Sequence, residues 1–172
     1  GDATARVGLL GLRLPRALLG VMVGASLGLG GAALQGLFRN PLAEPGVIGV
    51  SGCAALGAVL AFYSGLSLSI PLALPLGGIA GALVAIGLLQ ALALRDPRLA
   101  TVLLAGVALA ALSGALTALA LNLSPNPYAV VEIVFWLMGS LADRSLQHVA
   151  LALPFMLAGW ALDCAITWRL VP

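Results

Sequence analysis

Residues 17–38 read ALLGVMVGASLGLGGAALQGLF. The run carries no charge, and Ser26 and Gln35 are its polar side chains. Wound as a helix at about 1.5 Å per residue, its 22 residues reach about 33 Å. A bilayer's hydrocarbon core is about 30 Å thick, so the run is long enough to cross it. In lipid every backbone amide has to be bonded within the protein, which leaves helices and closed barrels. The continuous apolar character lacks the in–out alternation of a barrel strand. The stretch is therefore a transmembrane helix, and it sets the terms for the rest of the chain.

Composition agrees. Of 172 residues, 62% are hydrophobic and 8% charged, with a mean hydropathy of +1.14. A soluble domain carries roughly 25% charged residues, and 8 basic with 6 acidic side chains cannot cover a chain of this size with water-facing groups. A net charge of +2, scattered along the sequence, argues against nucleic-acid binding. Cys53 and Cys164 sit in apolar runs and read as small hydrophobes, with no spacing that suggests a disulfide or a metal site. The N-terminal GDATARVGLLG has neither a start methionine nor a signal-peptide pattern, so the sequence reads as a fragment or a trimmed chain.

Further apolar runs follow the first. Breaks at Arg39–Gly46, Ser64–Pro75, Arg95–Arg98 and Asn122–Pro127 separate spans expected at 47–63, 76–94 and 101–121. A shorter run at 130–141 is expected to be interfacial or re-entrant, and 146–168 forms a last span despite Pro154 and Asp163. The expected architecture is an all-α, polytopic bundle of about five spans plus a short helix. Gly20, Gly24 and Gly28, and likewise Gly106, Ala110 and Gly114, recur at four-residue spacing, a pattern that lets helices pack closely. With five spans, Arg6, Arg13, Arg16 and Arg144 fall on one side and Arg39, Arg95, Arg98 and Arg169 on the other. The positive-inside rule has nothing to decide there, which points to arginines kept for a task other than topology.

Chemistry-bearing groups are few. RNPLAEPGVIGVS at 39–51 combines two prolines with Gly46 and Gly49, the makings either of an ordinary loop or of a gate. Gly49-Val50-Ser51-Gly52 spells GxSG, and His148 is the one histidine, so an intramembrane serine protease using Ser51 and His148 is an alternative. The four-letter pattern arises easily in a Gly- and Ser-rich chain, and His148 lies at the edge of its span. Asp163, within an apolar span but about a turn and a half from Arg169, reads as an interface-facing acid near the end of its helix; it is also the residue that a channel or secondary transporter would use. Glu132, near Tyr128 and Trp136, fits a surface-lying helix.

Arg13-Leu14-Pro15-Arg16, the glycine-rich span ending in Gln35, Asn40-Pro41-Leu42-Ala43-Glu44-Pro45-Gly46 and Gly49-Val50-Ser51 together resemble the FecCD family of importer permeases. Leu104-Ala105-Gly106-Val107-Ala108 and Trp136-Leu137-Met138-Gly139-Ser140-Leu141 look like two further family motifs, in the expected order. The resemblance implies a permease subunit of an ATP-driven importer for iron–siderophores, haem or cobalamin, located in the bacterial plasma (inner) membrane. The implied partners are a second permease copy, two ABC ATPase subunits that hold the ATP and magnesium, and a periplasmic or lipoprotein substrate-binding protein. The permease itself performs no covalent chemistry and carries no cofactor. Arg13 and Arg16 would meet carboxylates of the binding protein, and Asn40 and Leu42 would close the cytoplasmic end of the pathway. Leu99 and Ala100 stand where the family pattern has small hydroxyl residues, so closure there would be by dewetting rather than by hydrogen bonds. The match is to the second to sixth helices of such a permease only.

Overall fold

The computed structural model describes residues 7–70, 72–124, 126–142 and 144–170; Arg6 and Asp143 lie outside them, as does the side chain of Arg169. The helices are α1 (Leu14–Phe38), α2 (Val50–Tyr63), the short α3 (Leu66–Ser69), α4 (Ala73–Arg95), α5 (Leu99–Asn122), α6 (Pro127–Met138) and α7 (Leu146–Leu170). A π-helical stretch, Val7–Arg13, leads into α1, and a 3-10 turn, Pro45–Ile48, leads into α2. Among the described residues there is no strand.

Two boundaries correct the sequence reading. First, the Arg13–Arg16 stretch is not a preface to the first helix but part of it. The apolar helical segment runs from Leu10 to Phe38, with Pro15 at the start of its α-helical part. Proline lacks an amide donor, and the wider π-type turn before it takes up that loss without ending the helix. Second, the span expected at 47–63 is shorter. Gly49 takes up a left-handed conformation (φ 76°) and stops the 3-10 turn there, leaving a 14-residue α2. At about 1.5 Å per residue, α2 is about 21 Å long, below the thickness of the hydrocarbon core. Among the described residues, four helical segments remain long and apolar enough to cross a membrane, Leu10–Phe38, Ala73–Arg95, Leu99–Asn122 and Leu146–Ile166. The short helix expected at 130–141 is α6, which starts at Pro127 and ends before Gly139.

By its internal contacts the chain divides into two compact units, Gly1–Ala43 with Gly139–Pro172, and Glu44–Met138. The first unit is built on α1 and α7. Leu19, Met22 and Val149 are buried together, flanked by Leu141, Ala152, Met156 and Trp160. The indole Nε1 of Trp160 donates to Ser26 Oγ across the two helices at 2.9 Å. Such a bond satisfies a donor that lipid cannot.

The second unit is held by α2, which lies against both α4 and α5. Its interior is made of small or branched residues, with Ala58, Val59, Ala73, Ala85 and Ile133 all nearly inaccessible. Elsewhere large apolar side chains point outward, including Val21, Leu83, Leu104 and Phe155. A soluble protein could not expose so much continuous apolar surface; a membrane protein requires it.

Candidate functional site

The loop after α1 is built by its own backbone. Arg39 sits in the left-handed region (φ 48°), its N–H bonded to Gly36 O at 3.3 Å, while Asn40 N–H reaches Gln35 O at 3.2 Å. This pair of bonds is the double closure by which helices end on a left-handed residue. A residue other than glycine there costs about 1 kcal/mol, so the loop's internal bonds offset real strain. Those bonds are present. Asn40 Oδ1 accepts the Leu42 N–H at 2.9 Å, and Gln35 Nε2 donates to Ala43 O at 3.4 Å. With its amide drawn toward Asn40, Leu42 projects outward, 85% exposed. An apolar side chain held out by a braced turn suits a plug at the end of a pathway.

The turn between α4 and α5 is braced differently. Asp96 accepts the Arg98 N–H through Oδ1 at 3.2 Å and the Thr101 hydroxyl through Oδ2 at 2.8 Å. Arg98 Nε lies 3.7 Å from Asp96 Oδ1. The arginine is 84% exposed, so water screens that ion pair and the two hydrogen bonds carry most of the order. The carboxylate thus ties the turn to the Thr101 side chain in the first turn of α5, beside Leu99 and Ala100, both exposed. Asp96→Ala should lower stability by about 1 kcal/mol, as loss of a local hydrogen bond does, and speed hydrogen exchange at the Arg98 amide. An unchanged thermal midpoint in detergent would show that the carboxylate does not brace this turn.

Of the expected gate residues, Asn40 and Leu42 belong to the first unit and Leu99 and Ala100 to the second. Arg13 and Arg16 are both exposed, three positions apart along one helical stretch, and neither makes an ion pair among the described residues. His148 is occupied locally. Its Nδ1 accepts the Ser145 N–H at 3.2 Å and lies 3.1 Å from Ser145 Oγ, closing the start of α7. Ser51 is an exposed residue of the first turn of α2, in the other unit. Asp163 is half-buried and Glu132 exposed.

The packing expected of the glycine ladders is only partly made within the chain. A Cβ built on Gly24, Gly28 or Gly114 meets nothing within 4 Å, and one on Gly20 meets only Leu141 Cδ1 at 3.8 Å. Those positions are smooth outer surface of this chain. Gly106 is different. A Cβ there would come within 2.9 Å of Ile48 Cα.

Close approaches are made at Gly49, already singled out in the 39–51 stretch, and at Gly52, Gly57, Gly77 and Gly81, which the sequence reading passed over as packing positions. The signal was present. Gly49, Cys53, Gly57 and Ala61 recur every four residues, as do Gly77, Gly81 and Ala85. The first of these ladders begins in a turn rather than a helix, which hid it.

The profile of the FecCD transport family matches residues 2–170. The cobalamin import system permease protein BtuC of Halobacterium salinarum is 40% identical over 165 residues, covering 92% of this chain and 42% of that protein. The vitamin B12 import system permease protein BtuC of Vibrio cholerae is 45% identical over 141 residues, covering 80% and 42%. A solved structure described as an ABC transporter of metal-chelate type in an inward-facing conformation superposes with a TM-score of 0.85 at 33% identity, over 99% of this chain and 54% of the other. The chain thus spans about half the length of the proteins it resembles. The match runs through both compact units and includes the Arg13–Arg16, Asn40–Gly46 and Leu104–Ala108 motifs. The chain belongs to the FecCD transport family.

Proposed function

We propose that this chain forms part of the membrane-embedded permease of an ATP-driven importer, carrying a cobalamin-type metal chelate inward across a bacterial plasma (inner) membrane. The supporting observation is the agreement of sequence and fold along nearly the whole chain with permeases named for cobalamin import and with a transporter of metal-chelate type. Cobalamin is preferred to an iron–siderophore or haem because the relatives at 40% and 45% identity carry its name. ATP and magnesium belong to partner ATPase subunits, a second permease copy completes the pathway, and a substrate-binding protein delivers the cargo. The chain's own contribution is physical. Its helices supply a two-state bundle whose ends open alternately as the partners bias it. Leu42, held by the Asn40 turn, and, separately, Leu99 and Ala100 are the side chains proposed to exclude water at the cytoplasmic end.

The test is uptake by the complete permease, reconstituted with its ATPase and binding protein. ATP-dependent accumulation of labelled cyanocobalamin, with ferric siderophore and haem as competitors, is the expected result. Accumulation of a competitor in its place would reassign the cargo, and no accumulation of any of the three would end the proposal.

Arg13 and Arg16 are the proposed docking contacts for carboxylates of the binding protein, each guanidinium gripping with a two-bond fork. Reversing both to glutamate should weaken binding about tenfold or more at low salt, with the difference shrinking as salt screens the interface. Equal affinity for parent and variant would remove these arginines from the interface.

A further inference from the structure

The Pro45–Ile48 turn and α5 come together backbone to backbone at Gly49 and Gly106. Gly49 and Gly106 are both buried. A Cβ on Gly49 would lie 2.6 Å from Gly106 O, 2.7 Å from Ala110 N and 3.1 Å from Leu109 Cβ. From the other side, a Cβ on Gly106 would lie 2.9 Å from Ile48 Cα and 3.2 Å from Ile48 O. One turn further on, Gly52 faces Ser113, whose hydroxyl occupies the space a Cβ would need. Ser113 is 2% exposed, and its Oγ donates to Ala110 O at 3.0 Å, which keeps it folded against its own helix.

These contacts form two teeth in one register. Helices that slide past each other do so in steps of about one turn, roughly 5.4 Å. A step along α5 in one direction would bring Leu109 opposite Gly52, and in the other Thr117. Both are larger than Ser113, and Gly52 has no room even for its own Cβ. The same step that presents Leu109 would set Val102 in the place of Gly106. Close-packed interiors switch between discrete arrangements rather than deforming smoothly, and here neither neighbouring register fits.

We propose that the Pro45–Gly49 segment, the first turn of α2 and α5 move as one rigid body during transport. Leu99 and Ala100 ride on the head of the same helix, about 10 Å from Gly106 at about 1.5 Å per residue. Both belong to the continuous helix, and the Asp96–Thr101 bond braces its first turn. Displacing Leu99 and Ala100 therefore carries the Pro45–Gly49 segment along. The inference rests on the permease reading for its functional meaning, while the rigid coupling rests on the contacts alone.

Gly52→Cys with Ser113→Cys provides the test, in a complete permease whose Cys53 and Cys164 are replaced by alanine. The built Cβ of Gly52 lies 3.6 Å from Ser113 Cβ, within the roughly 3.5–4.5 Å range that a disulfide bridges. Near-complete cross-linking by copper phenanthroline is expected, with ATP-driven uptake of cyanocobalamin within about twofold of the reduced sample. Cross-linked protein that stops transporting and recovers on reduction would overturn the rigid body, as would failure of the pair to cross-link.

Spin labels on the exposed Val47 and Leu104, which leave every glycine contact intact, give a second reading should the cysteine pair not fold. Their separation should stay the same with and without ATP, and a change of several ångströms would refute the coupling. If the cysteine-free parent moves no substrate, the permease reading fails by itself. Cross-link yield and label distance then still decide whether turn and helix are coupled.

Discussion

Replacing Gly49 by valine should leave little folded protein. Two penalties coincide at this position. The backbone is left-handed, with φ at 76°, and a side chain there costs about 1–2 kcal/mol, at the upper end for a β-branched residue. The new Cβ would also press on Gly106 O at 2.6 Å and Ala110 N at 2.7 Å. These are backbone atoms of a continuous helix and cannot rotate away, so relief requires the turn to lift off α5. Overpacking of this kind costs about 1–3 kcal/mol. A combined loss of about 3–5 kcal/mol is a large share of a typical total stability of 5–15 kcal/mol. The result should appear as a lower thermal midpoint in detergent and as loss of monodisperse material. Gly24→Ala is the matched control, because its Cβ meets nothing within 4 Å and it lies inside α1. It should leave stability unchanged or raise it by up to about 1 kcal/mol through helix propensity. Equal midpoints for Gly49→Val and Gly24→Ala would refute the clamp between the turn and α5.

That contrast shows where sequence reading succeeds and where it stops. Composition and run length identified an all-α membrane chain, because lipid permits few solutions and each needs a long apolar stretch. Helices at 73–95, 99–122 and 146–170 start and end near the expected breaks, where proline and charge made the boundaries visible. The first helix ran past its expected start because a proline preceded by a π-turn reads, in letters, like a proline that begins a helix. The break at Gly49 was invisible for a similar reason. A glycine that turns the chain, one that admits a neighbouring backbone and one that faces outward share a single letter. Gly49 does the first two, Gly106 the second, Gly24 and Gly28 the third. Periodicity singled out Gly106 but not Gly57, Gly77 or Gly81, because it measures spacing along one helix, whereas close approach depends on what the facing element presents.

The site was legible to a different degree. Its residues could be named from a resemblance, since RLPR, NPLAEPG and LLAGVA recur at recognisable distances. Their physical support could not be named. Nothing in the letters indicates that Arg39 is held left-handed by two backbone bonds, or that Asp96 reaches across a proline to the Thr101 hydroxyl. These supports depend on backbone dihedrals that sequence fixes only through the assembled turn. The absence of hydroxyls at Leu99 and Ala100 was plain from the start, and the Asp96–Thr101 bond supplies polar order one residue further on.

The crossing of α2 with α4 should tolerate substitution as poorly as the Gly49 clamp, for a reason that lipid makes acute. A Cβ on Gly77 would lie 2.6 Å from Gly57 O and 2.8 Å from Ala61 Cβ, while one on Gly57 would meet Gly77 O and one on Gly81 the carbonyl of Cys53. Between helices in a membrane the hydrophobic effect offers no drive, and association depends on van der Waals contact and close polar approach. Carbonyls this near to glycine Cα atoms are placed for Cα–H···O contacts, worth about 0.5–1 kcal/mol each. Gly81→Leu should therefore lower stability by about 3 kcal/mol or more, because overpacking is added to the loss of those contacts. Gly57→Ala and Gly77→Ala should each cost about 1–3 kcal/mol. Together they should cost less than their sum, because both act by forcing the same two backbones apart and the first separation makes room for the second. Unfolding in detergent for the two single variants and the double variant measures this directly. Additive losses would mean that the two glycines relieve independent contacts, and the shared crossing argued for α2 and α4 would be wrong.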